Sequence, residues 1–225
     1  MRIKSNFSKI LLIYLAIVSI FTFSVKAHEF QPKRYWNDIY FHSSMNKHVV
    51  RLRVNITNVT NSVYNRKLRD AINDWEYLDD GYCDIQVTTS SSKIMVYDTF
   101  PSTYNQNAYA TTTSTFNSAN ILYYPNGITG SVITQACNKI TKASIYANIS
   151  RQRQDNFNEG DIAKTWVHEL GHVMGLNETN DNTRSVMKQG QGSTLGWSNY
   201  WQPQTHDITD LARYHRVSWG GSAYE

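Results

Sequence analysis

Residues 168–178 read H-E-L-G-H-V-M-G-L-N-E and constrain this chain more than any other stretch. His168 and His172 stand four residues apart, so on an α-helix both imidazoles lie on one face, one turn apart. Two neutral imidazoles at this spacing can bind one zinc ion, and Glu169 between them is placed to act as a base on a zinc-bound water. The segment therefore predicts a helix that carries a zinc site.

Gly175 predicts the end of this helix, because glycine adopts the left-handed conformation at low cost and lets the chain reverse. The reversal can bring Glu178 back as a third protein ligand. Three protein ligands leave a fourth position open for water, which is typical of a catalytic rather than a structural zinc. A solvated surface helix with two histidines is the alternative. The glycine and the carboxylate that follow favour a zinc peptidase.

The first 27 residues have the three regions of a secretory signal peptide. Arg2, Lys4 and Lys9 come first, an apolar run at residues 10–24 follows, and V-K-A at residues 25–27 resembles a cleavage site. The apolar run is about 15 residues, shorter than the roughly 20 that span a bilayer. We therefore expect cleavage after residue 27, a secreted, extracellular protein, and no membrane span in the mature chain.

The charge of the mature chain is balanced. The signal segment holds four of the 22 basic residues and none of the 18 acidic ones, so equal numbers remain after its removal. This balance gives no indication of a nucleic acid or another polyanion as a partner.

The chain has two cysteines, Cys83 and Cys137. In an exported protein the default is one disulfide, which closes a long loop and restricts the unfolded chain. Two buried free thiols are the alternative. The two residues are too few and too far apart in sequence to form a metal site of their own.

Hydrophobic periodicity predicts an α+β fold with one domain at residues 48–225, preceded by a segment at 28–47 that is either a short pro-segment or an N-terminal strand and loop. A strand at His48–Thr57 precedes a long helix that begins at Asn61 or Ser62 and ends at Asp79–Gly81. The expected later elements, in chain order, are strands at Cys83–Thr89, Lys93–Thr99, Tyr109–Phe116, Asn120–Tyr124 and Lys142–Ile149, the helix of the zinc site capped by Asn158, and a last helix from about Thr205.

Residues 168–178 resemble the active-site segment of the metzincin zinc endopeptidases. The pattern of that family is H-E-x-x-H-x-x-G-x-x-H or -D followed by a Met-turn. Here the pattern is completed by S-V-M at residues 185–187, and D-I-T-D-L-A-R-Y at 207–214 is similar to the final helix of the matrixin branch. The resemblance implies a twisted mixed sheet with a long helix, an active-site helix, a Met-turn and a C-terminal helix. It also implies that His168, His172 and Glu178 bind zinc, that Glu169 is the catalytic base, and that Met187 forms an apolar floor under the metal.

The chain departs from the family at the third ligand, which is usually histidine or aspartate. Glutamate has the right donor atom but one more methylene, so Asp181 is an alternative ligand. Gln189 replaces the tyrosine that some branches carry after the Met-turn, which argues against the astacin-like and serralysin-like branches. No stretch matches the EF-hand pattern, so the sequence gives no support for calcium.

We therefore expect a secreted zinc metalloendopeptidase that takes an extended polypeptide substrate along a free edge strand, near Tyr109–Phe116 or Lys142–Ile149. Two alternatives stay open: a zinc hydrolase of non-peptide amides, such as those of a cell wall, and an inactive secreted binding module on the same scaffold. The oligomeric state does not follow from the sequence.

Overall fold

The computed structural model describes residues 34–35, 39–42, 47–76, 83–123, 133–179, 184–188 and 202–208. Its strands are β1 (Arg34–Tyr35), β2 (Ile39–His42), β3 (Lys47–Asn58), β4 (Cys83–Thr88), β5 (Ile94–Tyr97), β6 (Ala110–Tyr123) and β7 (Ile133–Ala147). Its helices are α1 (Ser62–Glu76), α2 (Ile149–Gln154) and α3 (Glu159–Val173), and a helical turn follows at Thr205–Ile208. The predicted signal peptide lies outside the described residues. No helix within them is long and apolar enough to cross a membrane.

The strands form one mixed, mostly parallel sheet, in agreement with the predicted α+β class. Strands β4, β3, β5 and β7 lie side by side in parallel, and β6 pairs antiparallel with β7. In the N-terminal segment, β1 pairs with β7 and β2 with the start of β3, so the described parts of residues 28–47 belong to the sheet. Apolar side chains of β3, β5 and β7, such as Val54, Val96 and Ile145, are buried in one core with α1 and α3.

The long hairpin of β6 and β7 differs from the prediction of two short strands at Tyr109–Phe116 and Asn120–Tyr124. Strand β6 runs without interruption and pairs with β7 from Ala110 to Tyr123, with one irregularity at Thr115 and Phe116. Strand β7 likewise begins at Ile133, well before the predicted Lys142. Continuous pairing with a neighbouring strand outweighs the weak hydrophobicity of this stretch, and local pattern does not report such pairing.

Both long helices begin as predicted, because their first residues carry side-chain caps. The Asn61 side chain accepts hydrogen bonds from the backbone N–H groups of Val63 and Tyr64 at the start of α1. At the start of α3, Asn158 accepts from the Asp161 N–H, and the Asp161 carboxylate accepts from the Asn158 N–H. This capping box satisfies donors that a helix leaves unpaired and fixes where α3 enters the core.

Two buried tryptophans join α1 to α3 by reciprocal hydrogen bonds. The Trp75 indole N–H donates to the Val167 carbonyl at 2.9 Å, and the Trp166 indole N–H donates to the Tyr64 carbonyl at 3.1 Å. Val167 and Trp166 directly precede His168, so these bonds set the position of the α3 turn from which the predicted zinc site begins.

We expect Trp75→Phe to lower the free energy of unfolding by about 2–3 kcal/mol, because it removes a buried hydrogen bond and leaves unfilled volume. Urea unfolding measures the change. Val87→Thr, at a side chain 36% exposed, is the control and should stay within about 0.5 kcal/mol of the native chain. An equally small effect of Trp75→Phe would contradict the role given to the indole bond.

Candidate metal centre

Helix α3 brings His168 and His172 together on one face, as their spacing predicts. Their Nε2 atoms are 3.1 Å apart, and the two rings are perpendicular with centroids 4.7 Å apart. The Glu178 carboxylate lies 4.0 Å from His172 Nε2, and the ligand atoms of all three residues lie within 4.8 Å of one another. Zinc bonds of about 2.0–2.1 Å at a tetrahedral angle separate two ligand atoms by about 3.3 Å, which the two imidazole nitrogens match. The Glu178 carboxylate would have to move closer to the histidines to complete the set.

Backbone carbonyl groups fix the tautomer of both rings. His168 Nδ1 lies 2.9 Å from the Val186 carbonyl oxygen, and His172 Nδ1 lies 2.8 Å from that of Leu176. A carbonyl oxygen only accepts, so each Nδ1 carries a hydrogen and each ring turns its Nε2 towards the other. The two Nε2 atoms therefore face each other at 3.1 Å, as two ligand atoms of one metal ion do.

The turn that returns the chain to the histidines is the one predicted at Gly175. This glycine has a φ of 101°, its N–H donates to the His172 carbonyl, and the Leu176 N–H donates to the Gly171 carbonyl. The pattern is that of a Schellman motif, which satisfies the last carbonyls of a helix. It also places the Leu176 carbonyl against His172 and brings Glu178, 38% exposed, to the same side.

Glu169 lies beside the ligand group in a buried position, 6% exposed. Its Oε2 accepts a hydrogen bond of 2.5 Å from the Thr112 hydroxyl on β6. Burial raises the pKa of Glu169, and the Coulomb interaction with His168 and the Thr112 hydrogen bond only partly offset this rise. A carboxylate whose pKa is raised in this way is suited to accept a proton and to return it.

Met187 is fully buried and packs against the backbone of α3 at Gly171. A Cβ atom on Gly171 would come within 2.2 Å of the Met187 sulfur, so glycine is required for this close approach. The Met187 carbonyl accepts from the Thr179 N–H at 2.9 Å, which ties the turn to the residue after Glu178. The methionine thus packs against the helix between the two histidines, and its predicted role as a floor under the metal stays a prediction.

Asp207 is a residue whose role the sequence reasoning missed. Its buried carboxylate accepts from the Ser185 hydroxyl, the Val186 N–H and the Gln204 N–H at 2.5, 3.0 and 2.8 Å. Because the Val186 carbonyl orients His168, Asp207 positions the His168 ring through the turn at residues 185–187. The only available signal was an aspartate near the start of the last helix, which resembles an ordinary capping residue.

Some predicted residues are not tested by these contacts. Asp181, the alternative ligand, lies outside the described residues. Cys83 opens β4 and Cys137 lies in β7, but their side chains are not among those described, so the disulfide stays a prediction. Within the described part of the chain, the group formed by His168, His172 and Glu178 is the one cluster of three or more His, Cys, Asp or Glu side chains that could hold a metal ion.

The ligand group opens into a cleft of about 570 Å³ between α3 and the beginning of β6. The cleft is lined by Asn105, Asn107–Thr112, Arg151, Thr165, His168, Glu169, His172, Glu178 and Lys188.

No model of a known protein family matches the chain, and no curated protein has a similar sequence. The assignment of a function therefore depends on the residues of this site.

We expect Gly171→Ala to lower the free energy of unfolding by about 1–3 kcal/mol, because the added methyl group meets the Met187 sulfur. Met187→Val removes that sulfur, so the double variant should lose less than the two single losses together. A double-mutant cycle in urea measures this coupling. Gly160→Ala, in the first turn of the same helix, is the control and should not lower stability. Additive losses would show that the two residues are not in contact.

Proposed function

We propose that the chain is a secreted zinc-dependent metalloendopeptidase. The observation that carries the proposal is the convergence of His168 Nε2, His172 Nε2 and the Glu178 carboxylate beside a buried Glu169. Three ligands of this kind with an adjacent carboxylate are the donor set of a catalytic zinc. The predicted signal peptide supports secretion.

The metzincin resemblance, closest to the matrixin branch, supports the same class. Its pattern covers the two histidines, Gly175, Glu178 and Met187. The mostly parallel sheet, the helix α3 after the last strand and the buried methionine beneath that helix are compatible with it.

In the proposed mechanism Glu169 carries the proton. Zinc held by His168, His172 and Glu178 would lower the pKa of a bound water molecule to about 7 and polarise the scissile carbonyl. Glu169 would accept a proton from the attacking water and pass it to the departing amine as the C–N bond breaks. Thr112 holds the Glu169 carboxylate on the side of the cleft, and the carbonyls of Val186 and Leu176 keep both imidazoles in the ligand tautomer.

An extended polypeptide is the substrate that the cleft suits. Among the described strands β6 pairs only with β7, and we propose that a substrate strand pairs with the other edge of β6, beside Glu169. Strand β7 lies between β5 and β6, so the alternative of a free edge at Lys142–Ile149 is wrong. A peptide that adds to β6 by backbone hydrogen bonds would cross the ligand group.

We expect Glu169→Gln to reduce hydrolysis by about 10²–10⁴-fold while zinc stays bound, because the amide cannot accept the proton. Hydrolysis of denatured casein and zinc content by elemental analysis are the two measurements. Glu159→Gln, at an exposed glutamate of the same helix, is the matched control and should keep full activity. A Glu169→Gln variant with native activity would exclude this residue as the base. Release of soluble fragments from purified peptidoglycan, measured in parallel, distinguishes the alternative of a cell-wall amide hydrolase from a peptidase.

We expect Glu178→Gln to weaken zinc binding by at least about 100-fold, since loss of even an outer partner of a ligand costs about 10–100-fold. Competition with a fluorescent chelator measures the affinity. Glu76→Gln on α1 is the control and should bind zinc as the native chain does. Native affinity in Glu178→Gln would mean that another residue supplies the third ligand.

A further inference from the structure

Two basic residues line the cleft and have no part in the proposed metal site or proton transfer. Lys188 directly follows Met187, and Arg151 belongs to α2. The carboxylates that line the same cleft, Glu169 and Glu178, are both taken by the proposed base and ligand roles. The charged side chains of the cleft that remain to contact a substrate are therefore the two basic ones, Lys188 and Arg151.

Lys188 lies next to the ligand group. Its backbone forms a parallel bridge with Thr179, the residue after Glu178. Partners in such a bridge have Cα atoms about 5 Å apart, so the long side chain stays close to the reacting centre. Within the described part of the chain no carboxylate forms an ion pair with Lys188, although Glu178 is nearby. Its ammonium group is thus available to a ligand.

Arg151 lies further along the cleft in a fixed orientation. Its guanidinium binds the Asp155 carboxylate at 2.8 Å and lies over the Tyr109 ring, 5.9 Å from the centroid. The side chain is 30% exposed. Tyr109 precedes Thr112, the partner of Glu169, by three residues, which is about 10 Å along an extended strand. Arg151 therefore lies about three substrate residues away from Glu169.

We propose that the cleft selects acidic polypeptide segments. Lys188 binds a carboxylate side chain next to the scissile bond, and Arg151 favours a second one about three residues further along the extended substrate. Asp155 already neutralises part of the Arg151 charge, so Lys188 dominates the preference. This inference rests on the proposed peptidase function and adds its substrate class.

The test combines cleavage with binding. The native protein is given a denatured, peptide-rich digest, and cleavage sites are mapped by mass spectrometry; acidic residues should be enriched beside the cleaved bond. Binding of labelled Glu-containing and Gln-containing peptides of equal length is measured on Glu169→Gln, and the Glu peptide should bind about tenfold more tightly. Lys188→Glu should abolish the tighter binding of the Glu peptide and change the residue enriched beside the cleaved bond from acidic to lysine, a result that a purely structural role would not give.

Lys142→Glu and Arg153→Glu, exposed charges outside the cleft, are the matched controls and should leave both preferences unchanged. Arg151→Met should weaken only the preference for the more distant acidic residue. Equal binding of the two peptides, or an acidic preference that survives in Lys188→Glu, would overturn the inference even if hydrolysis is normal. Absence of hydrolysis with a retained acidic preference in binding would instead contradict the proposed peptidase and leave the acidic selectivity supported.

Discussion

Two hydrogen bonds from imidazole Nδ1 atoms to backbone carbonyls determine what this site can do. They hold His168 and His172 with their Nε2 atoms 3.1 Å apart, and neither ring can turn without losing a partly buried bond. Each carbonyl belongs to a segment that folds back after α3: Leu176 to the turn at Gly175, and Val186 to the turn before Met187. The ligand geometry therefore depends on how the chain leaves the helix as much as on the helix itself.

The remaining contacts of the site serve to fix those two turns and the base. Asp207 holds the Val186 turn from the last described helical turn, and Met187 fits into the space left by Gly171. From the opposite side, Thr112 of β6 binds Glu169, so the sheet and the helix meet at the proposed reacting centre. A substrate strand that pairs with β6 would consequently be aligned with Glu169, because β6 also holds Glu169 through Thr112.

Local pattern in the sequence was sufficient for the starts of the two long helices and for the grouping of His168, His172 and Glu178, but it did not predict helix α2. Four-residue spacing, a glycine after the helix and an Asn158 cap act within a few residues, and each was found where it was predicted. Contacts between distant parts of the chain were not predictable. The bonds from Thr112 to Glu169 and from Asp207 to Val186 join residues 57 and 21 positions apart, and the full length of β6 depends on its pairing with β7. Polar residues of these types occur throughout the chain, so nothing local marks the ones that reach the site.

X-ray diffraction from zinc-loaded crystals, recorded on both sides of the zinc absorption edge, tests the central claim most directly. The anomalous signal should appear at one position, about 2.0–2.1 Å from His168 Nε2 and His172 Nε2 and about 2.0–2.2 Å from a Glu178 carboxylate oxygen, with a solvent ligand in the fourth place. A zinc ion at another position, or a Glu178 side chain turned away into solvent while a different residue completes the site, would contradict it.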